Sequence, residues 1–503
     1  MTTIELLVAT TRTATFAVDA SRHHYHLSRP LAWSVRDAQG QMVAAGLSET
    51  VVFHVEGLLP ATSYRLSVDD AVLAFSTGPE SVLVDIADVG ADPGAADNTV
   101  AIQSAIDRLP DHGTLLVPPG IWATGPLFLK SRMTLLLAPG AVLQALTDRS
   151  RYPILPARHG DGRVLGTWEG VAEPCYASLL TALDCEDLAI TGSGIVDGGG
   201  DRGDWWTWPK ETRDGARRPR TVFLSHGKRI NLSGVTVRNS PAWTVHPVFC
   251  SDVVAAGLTI ESDPQSPNTD GLNPECSCDV DLVGIRFSVG DDCIAIKAGK
   301  RDPKGGLDHP TEHVTVRNCL MERGHGGVVI GSEMSGSVRH VRIVRCAMRD
   351  TDRGLRIKTR RGRGGEVRDI LLEDCDMDGV LTPVAVNAFY FCDADGRSDY
   401  VQSRLPLDVT DATPRIAGVT IRRLRAQNVH VAAAAFLGLP EMPIEDIVID
   451  GFSVTYADDA KAGVPVMACH VEPIRHGGII AQNTRFSLRS GVEIARSQLE
   501  EPV

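Results

Sequence analysis

Four short stretches of this chain carry side chains that could do chemistry: Asn268-Thr269-Asp270-Gly271, Gly290-Asp291-Asp292, Gly324-His325-Gly326 and Arg356-Ile357-Lys358. Together they hold three carboxylates, one imidazole and a basic pair. Carboxyl groups in such a set can hydrolyse a glycosidic bond by general acid–base catalysis. A protonated one donates to the leaving oxygen, and others deprotonate a water on the opposite side of the sugar. Crowding Asp270, Asp291 and Asp292 should raise at least one pKa and so keep an acid protonated. Arg356 and Lys358 offer positive charge for a substrate carboxylate, which arginine can clasp through two parallel hydrogen bonds. The set calls for no metal and no cofactor. Each motif alone is weak: Asp-Asp is usually a solvated turn, Gly-His-Gly a loop, and Arg-Ile-Lys an exposed strand face. Asp270, Asp291, His325 and Arg356 stand 21, 34 and 31 residues apart, so their weight depends on a fold that gathers them.

A repeat supplies that fold. Short β-branched runs begin at Gly234, Gly257, Gly284, His313, His340, Asp369, Gly418 and Asp446, in steps of 23, 27, 29, 27, 29, 49 and 28 residues. A period in the twenties without helical spacing means a solenoid of stacked strands, a parallel β-helix. The 49-residue step marks an inserted loop, Asn387 to Pro414. A second strand column runs through Thr244-Val245-His246, Gly271-Leu272-Asn273, Ile294 to Lys297, Val328 to Ile330 and Leu355 to Lys358. Alternation turns Ile294, Ile296, Val328, Ile330, Leu355 and Ile357 inward, and Lys297, Arg356 and Lys358 outward on one face. The four motifs sit at or on these strands, so coils rising by about 4.8 Å would make them neighbours. Cys319, Cys346 and Cys375 also fall at one coil position. Stacked core side chains explain them better than a metal ladder.

Other segments frame the repeat. Residues 1–80 alternate short apolar and polar runs separated by turns, an all-β sandwich pattern. Tyr64, after Leu59-Pro60-Ala61, fits a tyrosine corner, and the segment resembles a fibronectin type III module. Asp97-Asn98-Thr99 then caps a helix with Ile102 and Ile106 on one face, expected to cover the open end of the β-helix. The chain has 503 residues and a formal charge of −13, which argues against a nucleic-acid binder. Its 11 scattered cysteines suit a reduced compartment rather than a disulfide scaffold. The longest apolar runs, such as Val431 to Leu439, are too short for a membrane span. With no signal peptide visible at the N-terminus, a cytoplasmic location is the expectation, or a periplasmic or secreted one if a leader has been trimmed. Oligomeric state is not legible.

In order and rough spacing, the four motifs resemble the signature of the polygalacturonase family, glycoside hydrolase family 28. The resemblance extends from about Val84 to the C-terminus and includes Gly113-Thr114-Leu115-Leu116-Val117-Pro118-Pro119-Gly120 and Asn239-Ser240-Pro241-Ala242-Trp243. It implies an all-β fold, a right-handed parallel β-helix over residues 81–503 as catalytic domain, and hydrolysis of α-1,4-galacturonosidic bonds of pectic chains with inversion. It also implies Asp291 as general acid, Asp270 and Asp292 as the groups that position and activate water, and His325 as support for the acid. Arg356 and Lys358 would bind the galacturonate carboxylate, with Asn268 and Lys297 beside them on the substrate face. Arg360, Arg361 and Arg363, leaving directly from the catalytic strand, are read as further uronate subsites. Segments 161–173, 198–220, 299–309 and 387–414 depart from the shorter endo-acting members and could wall off one end of the cleft. With the front module they resemble bacterial exo-polygalacturonases. Trp205, Trp206 and Trp208 could stack on sugar or simply pack their loop. Three alternatives stay open: a calcium-dependent lyase on the same architecture, hydrolysis of another pectic backbone such as rhamnogalacturonan, and a glycan-binding β-helix without catalysis.

Overall fold

The computed structural model describes residues 2–303 and 305–495. Seven N-terminal strands form two antiparallel sheets. One joins Ile4–Ala9, Ala14–Val18 and Val52–Val55; the other joins Met42–Thr50, His26–Asp37, Ser63–Val68 and Ala71–Ser76. Phe16, Val35, Phe53, Tyr64, Leu66 and Phe75 fill the space between them. The Tyr64 hydroxyl accepts a hydrogen bond from the Leu59 amide at 2.8 Å, the corner that the sequence suggests.

Beyond the sandwich the chain is a parallel β-helix. Its longest sheet has 23 strands, which pair in parallel, coil on coil, over successive repeats. A second face carries two shorter sheets. Leu127–Leu129, Leu180–Leu183, Val222–Ser225 and Val245–Val248 form the first. Asp292–Ile296, Gly326–Ile330, Arg353–Lys358, Thr382–Asn387, Ala432–Leu437 and Gly477–Gln482 form the second. Leu272 bridges them, pairing with Val245 on one side and Ile294 on the other. Inward Ile294, Val328 and Leu355 stack in register and are fully buried. Period-2 alternation and coil-to-coil hydrogen bonding therefore act together: the apolar set fills the tube, and the polar set is left on one outer face.

The sandwich lies against the side of the β-helix. Val52 packs on Val283, and Arg317 forms an ion pair with Glu5. Gly284 sits directly under this contact with φ of +61°, and a Cβ there would stand 2.3 Å from Val52 Cγ2. Only glycine tolerates both the left-handed backbone and the close approach.

The helix Thr99–Arg108 covers the N-terminal end with Ile102, Ala105 and Ile106 buried. Within the expected polar cluster, Asp97 supplies the cap. Asn98 makes no side-chain cap bond, and Asp97 Oδ1 instead accepts from the Thr99 amide at 2.8 Å. Asn98 is used to tie the preceding loop, bonding to the Asp92 amide and carbonyl. Cys319, Cys346 and Cys375 are free thiols without solvent exposure, as expected of core stacking. Among the described residues, no helix is long and apolar enough to cross a membrane.

Candidate active site

The four motifs meet on the second face. Backbone bonds set their register: the Gly271 amide donates to the Asp292 carbonyl and the His325 amide to the Asp291 carbonyl, both at 3.0 Å. Asp292 pairs with Gly326 across adjacent strands. Gly324 makes the turn into the third coil possible. Its φ is +116°, and a Cβ would lie 2.6 Å from the Asp291 carbonyl oxygen.

Three carboxylates thus share a small volume and differ in what surrounds them. Asp270 is 3% exposed, accepts from Asn273 Nδ2 at 2.9 Å and stands 3.8 Å from Lys297 Nζ. Burial, then the charges of Asp291 and Asp292, push its pKa well above the ordinary carboxylate range. Burial would also raise Asp291, but the hydrogen bond and charge of His325 hold it down at about 2. The contact is His325 Nδ1 to Asp291 Oδ1 at 3.1 Å, and it pushes His325 up to about 9. Asp292 takes Lys358 Nζ on Oδ2 at 2.8 Å and has Arg356 Nη1 at 3.5 Å from Oδ1. That Oδ1 is buried and has no hydrogen-bond partner among the described residues. Burial and crowding thus favour the neutral form of Asp270, while Asp291 and His325 share a proton, and the three titrate as one cluster.

Asp270, Asp291, Asp292, His325, Arg356 and Lys358 are brought together as the sequence suggests. The other three substrate-face candidates are placed differently. Asn268 lies in the right turn, but its Oδ1 accepts from the buried guanidinium of Arg218 at 2.7 Å. Lys297 is not turned to solvent. It is buried over the Trp243 ring, with Nζ 4.6 Å from the ring centre and 2.9 Å from Glu333 Oε2. Arg361 is the clearest correction. It is 1% exposed, binds Glu441 through two nitrogens at 2.6 and 2.9 Å, and donates to the Ser403 carbonyl at 2.8 Å. Its neighbours behave alike: Arg360 pairs with Asp393 and Asp395, and Arg363 with Asp393. These arginines clamp the 387–414 insert onto the β-helix, their guanidinium groups held by the protein's own acids.

The tryptophan cluster also resolves toward packing. Trp205 and Trp208 are fully buried against Tyr152 and Tyr176, and Trp206 donates to the Ser240 carbonyl. Sequence reading misses Glu333, which neutralises Lys297, and Tyr390, whose ring lies 5.9 Å from Arg356 and 5.4 Å from Lys358. It also misses Met467, which contacts Arg356 through its sulfur at 2.6 Å. A glutamate three residues beyond the Gly326–Ile330 strand is the one visible signal for the first. Nothing local points to the other two.

The four inserts interlock beside this site, 299–309 being tied to 387–414 by Lys300 with Asp393 and Arg301 with Asp411. Lys210 pairs with Glu169 and Arg217 with Glu173, both at 2.5 Å. The amides of Lys300 and Leu307 donate to the Gly170 carbonyl at 3.0 and 2.9 Å. The joined inserts reach the site through aromatic contacts: Trp168 stacks on Trp243 at 5.9 Å, Arg220 flanks the pair at 5.2 and 4.9 Å, and Lys297 lies over the Trp243 ring.

Residues 168–469 match the family model described as glycosyl hydrolases family 28. The chain is 33% identical over 402 residues to a probable polygalacturonase of Vitis vinifera, covering 78% of each. It is 26% identical to an exo-poly-alpha-D-galacturonosidase of Dickeya chrysanthemi, over 74% of this chain and 69% of that one. Among solved structures, a hyperthermoactive exopolygalacturonase from Thermotoga maritima superposes with a TM-score of 0.66 at 26% identity, covering 82% of this chain and 91% of the other.

Proposed function

The chain belongs to glycosyl hydrolases family 28, and from that premise we propose that it is an inverting hydrolase of α-1,4-linked galacturonan that releases sugars from chain ends. The stacking of Asp270, Asp291–Asp292, His325 and Arg356–Lys358 on successive coils carries this reading. Family membership favours it over the lyase alternative. In the proposed reaction the proton shared by Asp291 and His325 passes through Asp291 to the glycosidic oxygen as that bond breaks. Water attacks the opposite face of the sugar and gives up its proton to the Asp270–Asp292 side, where Asp292 Oδ1 is a buried acceptor with no donor of its own among the described residues. Arg356 and Lys358 neutralise the uronate carboxylate beside the bond being cut.

Attack on chain ends is supported by the interlocked inserts at 161–173, 198–220 and 299–309, which pack against one side of the site at Trp243 and Lys297. The relatives named as exo-acting galacturonosidase and exopolygalacturonase point the same way. On polygalacturonate the expected products are monomer or dimer from the first minutes, resolved by chromatography of a time course. Early fragments of intermediate length would overturn the exo reading, and ultraviolet-absorbing unsaturated products would overturn hydrolysis.

The shared proton also fixes a pH dependence. Asp291 is lowered to about 2 and His325 raised to about 9, so the pair holds one proton between those limits. The His325 contribution to folding is fully present below pH 6.5 and is lost as pH rises through about 9. The Asp291 contribution is present above pH 3.8 and is lost as pH falls through about 2. In wild-type enzyme the alkaline limb of kcat/KM is expected near pH 9. His325→Ala leaves Asp291 to hold its proton alone, so that limb should move to lower pH. An unmoved limb would remove His325 from the proton store.

A further inference from the structure

Residues 457–476, which connect Ile444–Tyr456 to Gly477–Gln482, are not one of the four inserts, yet they reach the active site from the far end of the coil stack. Their two limbs are joined: the amides of Gly463 and Ile474 each donate to the other's carbonyl at 2.9 Å. The tip, Val464 to Cys469, lies across the strands that carry and follow the uronate clasp. Arg353 is 8% exposed and donates from Nε to the Pro465 carbonyl at 2.9 Å and from Nη2 to the Val464 carbonyl at 2.6 Å. It forms no ion pair among the described residues, so its buried guanidinium serves to hold this strap. Asn387 Nδ2 donates to the Met467 carbonyl at 3.0 Å, and Arg356 Nη2 meets the Met467 sulfur at 2.6 Å. Met467 therefore sits on the outer face beside the clasp itself.

The sheet is shaped to receive the strap. On its outer face the column that holds Arg356 continues in register as Ala385 and then Ala435. These short apolar side chains offer nothing to a uronate. They belong to one apolar cluster with Val466 and Ala468 of the strap, both buried. Alternation thus places the polar clasp on one coil and a flat apolar seat on the next two. The strap is also joined to the 387–414 insert. The Cys469 amide donates to Gln402 Oε1 at 3.0 Å, and Arg404 Nη2 donates to the Cys469 carbonyl at 2.7 Å. Through Lys300 and Asp393 that insert is tied in turn to 299–309, so the walls at the two ends of the site are continuous.

The catalytic groups follow one another along the stack, so a bound chain runs along it as well. From the Asp270 coil to the Arg356 coil there are three steps, about 14 Å at the coil rise. We propose that the 457–476 strap, through Met467, limits the bound chain to a short oligomer, making di- and trigalacturonate the preferred substrates and the ends of long chains poor ones. The inference rests on the galacturonan reading of the active site. A site closed at one end accepts a chain of any length through the other. Here the inserts close the end at Trp243 and the strap closes the end at Arg356, so the body of a polymer must leave the floor next to the clasp. Discrimination of this kind comes from an obstacle to the longer ligand rather than from extra contacts to the shorter one.

The test is kcat/KM per chain end for di-, tri- and hexagalacturonate and for polygalacturonate. In wild-type enzyme the two short substrates should exceed the two long ones by about tenfold. Met467→Ala lowers the obstacle and should raise the hexamer-to-dimer ratio several-fold, whereas Met467→Phe should lower it further. A strap with a merely structural role would shift unfolding midpoints in these variants and leave the ratio in place. Long chains cleaved as fast as dimer by wild-type enzyme overturn the proposal, as does a ratio unmoved in both variants. Calorimetric titration of the same oligomers into full-length Asp291→Asn protein reads chain length without turnover. Affinity should stop rising at the trimer, and a tenfold gain from trimer to hexamer would overturn the limit. Absence of hydrolysis of every galacturonate by wild-type enzyme would instead overturn the active-site reading, while the titration would still decide whether the strap limits the bound length.

Discussion

Asp291→Asn should lower kcat on oligogalacturonate by about 10²–10⁴-fold, the usual range for removal of a general acid, with KM nearly unchanged. The amide is isosteric and can still accept from His325 through its oxygen, so the 3.1 Å contact can persist, but no ionisable proton remains to pass to the leaving oxygen. Arg356 and Lys358 keep Asp292 as their counter-ion, so uronate binding should survive. Removing one negative charge relieves the crowding that raises Asp270 but also removes the counter-charge of His325, so the fold of the variant is checked directly. The same change at Asp292 would be less informative, because it would strip Lys358 and Arg356 of their buried partner. A reducing-end assay with circular dichroism of both proteins decides the matter. Activity within about tenfold of wild type, one factor of 1.4 kcal/mol, would take the acid role away from Asp291. Intact glycan binding with no hydrolysis in either protein would leave a binding β-helix.

Much of this site is legible in the sequence because a β-helix converts spacing along the chain into position in space. Once strands recur every 27 to 29 residues in the region from Gly257 to Asp369, side-chain alternation fixes which residues face inward. The coil rise then fixes which outward residues are neighbours. Asp270, Asp291, Asp292, His325, Arg356 and Lys358 emerge by that logic. Lys297 obeys the alternation, yet its surroundings cannot be had from it. Glu333 lies 36 residues later and approaches from the end of the next strand, a place that the strand pattern does not specify. The inserts are less legible still. They have no period, so nothing in the sequence of residues 387–414 says that Asp393 will turn back onto Arg360 and Arg363. A basic run beside a catalytic strand looks the same whether it awaits substrate carboxylates or is already satisfied by the protein's own.

Arg361 is where those two readings predict opposite measurements. As a structural clamp, it should cost about 3–5 kcal/mol of stability when replaced by methionine, the range for breaking a buried ion pair by removing one partner. Its side chain and that of Glu441 are 2% and 4% exposed, so Glu441 would lose its charged partner and keep only backbone donors at its own position and at Leu407. The Ser403 and Tyr400 carbonyls, which accept from Nη1, would lose their donor as well. Methionine keeps most of the apolar stem and its contact with Phe389, over which the guanidinium now lies at 5.5 Å, so the loss isolates the charge. Pairing Arg361→Met with Glu441→Leu should recover much of the stability, because an apolar pair of similar volume often replaces a buried ion pair without penalty. A substrate-binding Arg361 would behave in the opposite way. Its substitution would leave thermal and urea midpoints in place and raise KM, and the Glu441→Leu change would rescue nothing. Unfolding midpoints and KM measured on the single and double variants separate the two roles.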